Sequence, residues 1–141
     1  VVDQSLSRSG MGGTALLFRD RVSQVNRICV GVGGYSSKHR HRSKVNVFIV
    51  CSGELLVYLF DETLQPVQQH VLRAGDTLVV EAGVIHQFCA TQATEAYELY
   101  YAPDGGELET NDIERYSTNG TTGTAQDCDG PDERTQSGPR A

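Results

Sequence analysis

Short apolar runs separated by turn signals follow one another from Thr14 to Tyr101, and this rhythm constrains the fold more than any other feature. Residues 15–18, 27–32, 45–51, 55–60, 67–72, 77–80, 87–90 and 96–101 each have the length of a strand. They are rich in Val, Ile, Leu, Phe and Tyr, side chains that suit a pleated, half-buried surface. Gly33-Gly34, Ser52-Gly53, Asp61-Glu62, Ala74-Gly75-Asp76 and Ala82-Gly83 punctuate them. No window carries a convincing apolar stripe of helical period, so helix is a minor component. About eight short strands at this spacing predict an all-β domain, an antiparallel sandwich or small barrel. No segment is a second copy of another, which argues against a repeat array.

The ends read differently. Residues 1–13 are polar and glycine-rich and are expected to form a flexible leader. Residues 117–141 contain no Val, Ile, Leu, Met, Phe, Tyr or Trp. A segment so poor in apolar surface cannot offset the entropy of ordering it, so a flexible polar tail is expected there. The barrel is therefore assigned to residues 14–116. Its acidic last part, 107–116, reads as either a final strand or a loose cover.

Composition narrows the class of function. With 141 residues the chain suits one domain, and its net charge of −6 argues against nucleic acid as the main partner. There is no run of 18 apolar residues and no charged-then-apolar leader, so a soluble, cytoplasmic protein is expected, without a membrane span. The charge is uneven. Residues 1–73 carry nine Lys or Arg against five Asp or Glu, and residues 74–116 carry one against nine. Cys29, Cys51, Cys89 and Cys128 show no metal-like spacing. The first three sit among apolar residues and are expected to be free thiols acting as small core side chains.

Three of the four histidines occupy telling places. His39 and His41 lie in Ser37-Lys38-His39-Arg40-His41-Arg42, just before the run 45–51. An i, i+2 pair on extended backbone points both imidazoles to one face, as two ligands of one ion require. His86 opens another predicted strand, from which a third ligand can reach the same ion. Neutral imidazole suits Zn, Fe, Ni and Cu, and Mn in mixed sites, so the metal is a divalent ion, with Zn, Fe, Mn and Ni not distinguished. His70 stands alone and is assigned no function.

The glycines around these histidines give the chain a family resemblance. Gly33, His39, His41, Asn46 and Gly53 match the spacing of the first motif of the cupins, and Gly75, Glu81, Gly83, His86 and Ala90 match the second. The resemblance implies a jelly-roll β-barrel made of two sheets, with His39, His41 and His86 as metal ligands. Asn46 stands where that family usually has a glutamate ligand, which leaves a divalent ion with no carboxylate among its donors. Glu81 and Ala90 replace a framework proline and asparagine. The run from Ser36 to His86 is most similar to small proteins related to the mannose-6-phosphate isomerase cupin domain. That implies a small polar ligand, a sugar or sugar phosphate, and an isomerase or epimerase type of reaction. A non-catalytic ligand-binding cupin and a three-histidine iron dioxygenase remain the alternatives. The resemblance also implies a homodimer.

Other residues are candidates on their own chemistry. Glu98 lies between aromatic residues in a predicted strand and is a candidate catalytic acid or base. Tyr100, on the same face, and Arg27, on the strand before the first motif, are candidate substrate contacts. Lys38, Arg40, Arg42 and Lys44 alternate with the histidine strand and are expected on its outer side. There they form a basic rim, a solvated edge or a set of pairs with the acidic half.

Overall fold

The computed structural model describes residues 7–9 and 12–121, and among these there is no helix. The strands are β1 (Ser7–Ser9), β2 (Gly12–Arg19), β3 (Ser23–Val30), β4 (Gly34–Tyr35), β5 (His39–Arg40), β6 (Val45–Ser52), β7 (Glu54–Phe60), β8 (Pro66–Arg73), β9 (Thr77–Val80), β10 (Ile85–Ala90), β11 (Thr94–Tyr101), β12 (Glu114–Arg115) and β13 (Gly120–Thr121). They form two antiparallel sheets. The first runs β1-β2-β3-β11-β6-β9. The second is built on β10, which pairs with β7 along one side and with β5 and β4 along the other. Beyond these, β8 lies outside β7, β12 outside β5 and β13 outside β4.

All eight predicted runs are strands, and the double-sheet barrel is the architecture expected. The boundaries differ where backbone chemistry rather than apolar content decides. Strand β3 starts at Ser23 because the Asp20 carboxylate accepts from Val22 N, Ser23 N and Ser23 Oγ at 2.8–2.9 Å, fixing the turn before it. Gly12 and Gly13, expected in a leader, begin β2, and Ser7–Ser9 pairs with residues 12–14. Pairing of this kind uses main-chain groups and needs no apolar side chain. Ser117 and Gly120–Thr121, expected in the tail, contact Lys38 N and β4. The rest of the expected leader and tail lies outside the described residues. Residues 107–116 are mostly cover, with only Glu114–Arg115 in a ladder.

The inter-sheet layer changes character along its length. At one end it is apolar: Ile28 and Val30, Phe48 and Val50, Leu55 and Val57, Phe88 and Ala90, and Ala96 are all buried together. Phe48 and Phe88 meet edge to face at 5.8 Å. Burying each large side chain contributes roughly 1.5–3 kcal/mol. Toward the other end the alternating positions turn polar: Asn46 on β6, His86 on β10, and Glu98 and Tyr100 on β11, all buried. Strand alternation alone carries these side chains to the same face as the core beside them. The site is a polar cap on an apolar core.

The outer face of the first sheet carries an apolar row. Phe18, Val25, Leu99, Val47 and Val79 stand directly opposite one another across five strands, with Phe18 and Val79 nearly half exposed. A second cluster, Leu56, Tyr58, Phe60, Ile85 and Cys89, lies on the far face of the second sheet. Cys29 and Cys51 are free thiols, as expected, but neither is a core side chain: Cys29 is half-buried, and Cys51 is exposed because it alternates outward from Val50. Cys89 is disulfide-bonded. Burial among apolar residues is compatible with either state. Because disulfides persist in oxidising surroundings, the thiol argument for a cytoplasmic chain does not hold.

Candidate metal centre

His39 and His86 stand directly opposite each other in the β5–β10 ladder. His41 follows two residues after His39, where the backbone is still extended enough to keep both rings on one side. The carbonyl of His41 accepts from Gly83 N at 2.7 Å, which joins the two histidine-bearing segments. Gly83 has φ +88°, a conformation that glycine adopts without strain. Ring centroids lie 5.0 Å apart for His39 and His41, 4.4 Å for His39 and His86, and 5.5 Å for His41 and His86. One ring nitrogen from each falls within 4.8 Å of the others, and all three rings are buried.

Hydrogen bonds fix which nitrogen faces inward. Nδ1 of His39 donates to Ser37 O at 2.8 Å, Nδ1 of His41 to Asp112 O at 2.7 Å, and Nδ1 of His86 to Val84 O at 2.9 Å. Each ring is thereby held with its proton on Nδ1 and its lone pair on Nε2, the arrangement metal-binding histidines adopt. Burial lowers the pKa of all three; proximity to the other two rings adds to the effect at His39. For His86 the value falls to about 4. The imidazoles stay neutral and ligand-ready.

Among the described residues, two buried side-chain polar atoms are left without a partner, His41 Nε2 and Asn46 Oδ1. Such orphans are costly in a folded protein, by about 1–3 kcal/mol each. A divalent ion held by the three Nε2 atoms would satisfy the first. Asn46 turns its amide nitrogen to the site, Nδ2 lying 3.5 Å from His86 Nε2, and its Oδ1 is a neutral oxygen that a rotated amide could offer as a donor. The donor set therefore fits a divalent metal ion. It does not distinguish Zn, Fe, Mn and Ni.

A carboxylate is present, though on a different strand from the one the motif prescribes. Asn46 lies opposite Tyr100 in the β6–β11 register, and Glu98 is two residues along. Glu98 Oε2 accepts from Asn46 Nδ2 at 3.2 Å and from Tyr100 Oη at 3.0 Å. Burial raises the Glu98 pKa above the ordinary carboxylate range, opposed by these two hydrogen bonds and by Lys44. The Tyr100 ring in turn packs edge-on to His41 at 5.1 Å. His39, His41, His86, Asn46, Glu98 and Tyr100 thus form one cluster.

Arg27 does not belong to it. It alternates with Asn26 and Ile28 and faces outward, its guanidinium 3.0 Å from Glu95 and its side chain 36% exposed. The basic residues around the histidines divide. Arg40 pairs with Glu62 and Glu114, and Arg42 with Glu114, so these two face outward, Glu114 belonging to the acidic half and Glu62 to the basic one. Lys44, expected outside with them, is buried; its Nζ lies 4.7 Å from the centre of the Tyr100 ring and donates to Glu109 O at 3.3 Å. Asn26, opposite Glu98 in the β3–β11 ladder, and Asp112 are further members of this neighbourhood, both unremarked in the sequence.

A cupin domain profile matches residues 26–101, more than half of the chain and all of the glycine and histidine framework. The chain is a cupin. No curated protein sequence matches it. Among solved structures the cupin superposes on KdgF from Halomonas sp. with TM-score 0.62 and 14% identity, over 70% of this chain and 86% of that one. It superposes on Pac13, a nucleoside dehydratase, with TM-score 0.62 and 13% identity, over 81% and 85%. Oxalate decarboxylase from Bacillus subtilis gives 0.64 and 13%, over 79% of this chain but only 29% of the larger enzyme. At such identities the likeness is one of fold, and the cupin's chemistry is argued from its own side chains.

Proposed function

We propose that this cupin holds one divalent metal ion on Nε2 of His39, His41 and His86, with Asn46 beside them, and acts on a small polar molecule. The observation that carries the proposal is the shared orientation of the three imidazoles: every Nδ1 is bound to a carbonyl and every Nε2 turns inward. The bound ion would polarise a carbonyl or hydroxyl oxygen. Glu98, raised by burial and bonded to Asn46 and Tyr100, is the group placed to take or return a proton beside it. That combination suits an isomerase or epimerase acting on a sugar or sugar phosphate. Solvent-deuterium exchange into a panel of aldose and ketose phosphates, followed by NMR, tests it. Exchange that requires the metal and is lost in Glu98→Gln supports the reading; no exchange with any substrate by the metal-loaded protein contradicts it.

A second reading is favoured by one residue. Asn46 replaces a carboxylate ligand, which weakens the hold on the ion and suits a cupin that binds its ligand without turnover. Ligand binding unaccompanied by exchange is the result that separates the two.

The same proposal includes a homodimer formed by the outer face of the first sheet. The apolar row from Phe18 to Val79 has Leu99 at its centre. Arg19 and Arg21 flank one end and Asp76 and Glu81 the other, all exposed. A second copy rotated about Leu99 would set each basic end against an acidic one. Light scattering of Leu99→Lys against wild type tests this: a dimer that becomes a monomer supports it, and a wild-type monomer contradicts it.

A further inference from the structure

Strand β12 lies along β5, with Arg115 directly opposite His39 and Glu114 directly opposite Arg40. Residues opposite each other in a ladder share a face. Glu114 turns outward to Arg40 and Arg42, at 3.1 and 2.6 Å, so Arg115 projects to the side that carries His39. Arg115 thus stands at the edge of the metal centre, one strand out from His39.

The surrounding cations are occupied. Arg40 and Arg42 are paired with Glu62 and Glu114, and Lys44 donates to backbone carbonyls. The Arg115 side chain is different: it is exposed, and among the described residues its guanidinium makes no hydrogen bond or ion pair. The donors at the centre of the site, three imidazoles and one amide, are neutral, so a divalent ion there would keep its full charge. An oxyanion held by Arg115 beside the histidines would offset part of this positive charge, and a guanidinium presents the planar pair of donors that carboxylate and phosphate groups accept.

We propose that Arg115 is the anion-recognition residue of this site and that its small-molecule ligand carries a carboxylate or phosphate group. The inference rests on the metal-centre reading above and assigns the substrate class. The role expected of Arg27 falls to a residue on the other sheet.

Calorimetric titration of zinc-loaded and metal-free protein with pyruvate, inorganic phosphate and, as a neutral control, glycerol tests the proposal. Wild-type zinc-loaded protein is expected to bind at least one of the two anions, and whichever it prefers identifies the group. Arg115→Ala should weaken that binding tenfold or more, Arg115→Lys should restore part of it, and Arg27→Ala should leave it unchanged. Zinc affinity should not fall in Arg115→Ala, because a positive charge near the ligands has been removed. Equal anion binding by Arg115→Ala and wild type, or no anion binding by wild type, overturns the proposal. If zinc is not retained yet anion binding to the metal-free protein still depends on Arg115, the metal reading fails and the Arg115 assignment stands.

Discussion

The backbone carbonyl of Asp112 accepts a hydrogen bond from Nδ1 of His41 at 2.7 Å, so the segment after the last long strand is part of the metal centre's support. The Asp112 side chain anchors that carbonyl: one carboxylate oxygen accepts from Arg42 N at 2.9 Å, the other from Ser43 N and Ser43 Oγ at 2.7 and 2.8 Å. Its pKa is accordingly lowered by these bonds despite the opposing effect of burial. Asp112→Ala releases the anchor and should weaken metal binding about 10–100-fold, the usual cost of losing a partner behind a ligand. Asp112→Asn keeps one acceptor and should recover part of it. Nitrogen NMR of the imidazoles provides the specific check: the tautomer of His41 should become mixed while those of His39 and His86 remain fixed. Unchanged metal affinity in Asp112→Ala would show that His41 needs no such support.

Acid should destabilise the metal-free protein in a defined window. His86 titrates at about 4 in the fold against 6.5 in the unfolded chain. Between these values the unfolded chain holds a proton that the folded one excludes, so stability falls as the pH drops from about 6.5 to 4. His86 alone accounts for roughly 3 kcal/mol over that range. His39 and His41 act in the same direction, and Glu98, raised by burial, acts against them. The informative quantity is therefore the difference in urea-unfolding free energy between wild type and His86→Gln across the window. It should shrink as the pH falls; a difference that does not vary with pH would contradict the burial argument.

Two motif glycines should respond unequally to alanine. Gly53 has φ +87°, and a Cβ there would lie 2.2 Å from Ala93 O and 2.8 Å from Thr94 Cα, both backbone atoms. Gly75 has φ +92° with nothing within 4 Å of the same position. Gly75→Ala should cost about 1 kcal/mol of backbone strain, whereas Gly53→Ala should cost about 3 kcal/mol or more because the turn must move. Chemical denaturation of both variants measures the contrast. Equal losses would mean that φ alone, and not the close approach of β11, requires Gly53.

Much of this arrangement is legible in the residues because strands and glycine turns follow local rules. The eight long strands announce themselves by apolar runs, and the His-x-His pair by its spacing. Strands β4, β5, β12 and β13 have two residues each and exist through ladders of one or two paired positions that no propensity signals. Arg27 lies on the strand before the first motif, but that position in the chain does not say which face the side chain takes, and the structure turns it outward to Glu95. Arg115 did carry a signal, as the one basic residue between Ala74 and Tyr116. The carbonyls of Ser37, Val84 and Asp112 carried none, since every residue has a carbonyl.

The central claim is that three neutral histidines hold a divalent ion, and elemental analysis of untagged protein tests it most directly. After exposure to zinc, manganese, iron and nickel salts in turn and removal of loose metal, wild type should retain about one equivalent of at least one ion. Folded His86→Ala or His86→Gln, with cooperative unfolding confirmed, should retain little or none. Wild-type protein that keeps no metal under any of these conditions, or a His86 variant that keeps as much as wild type, would contradict the account.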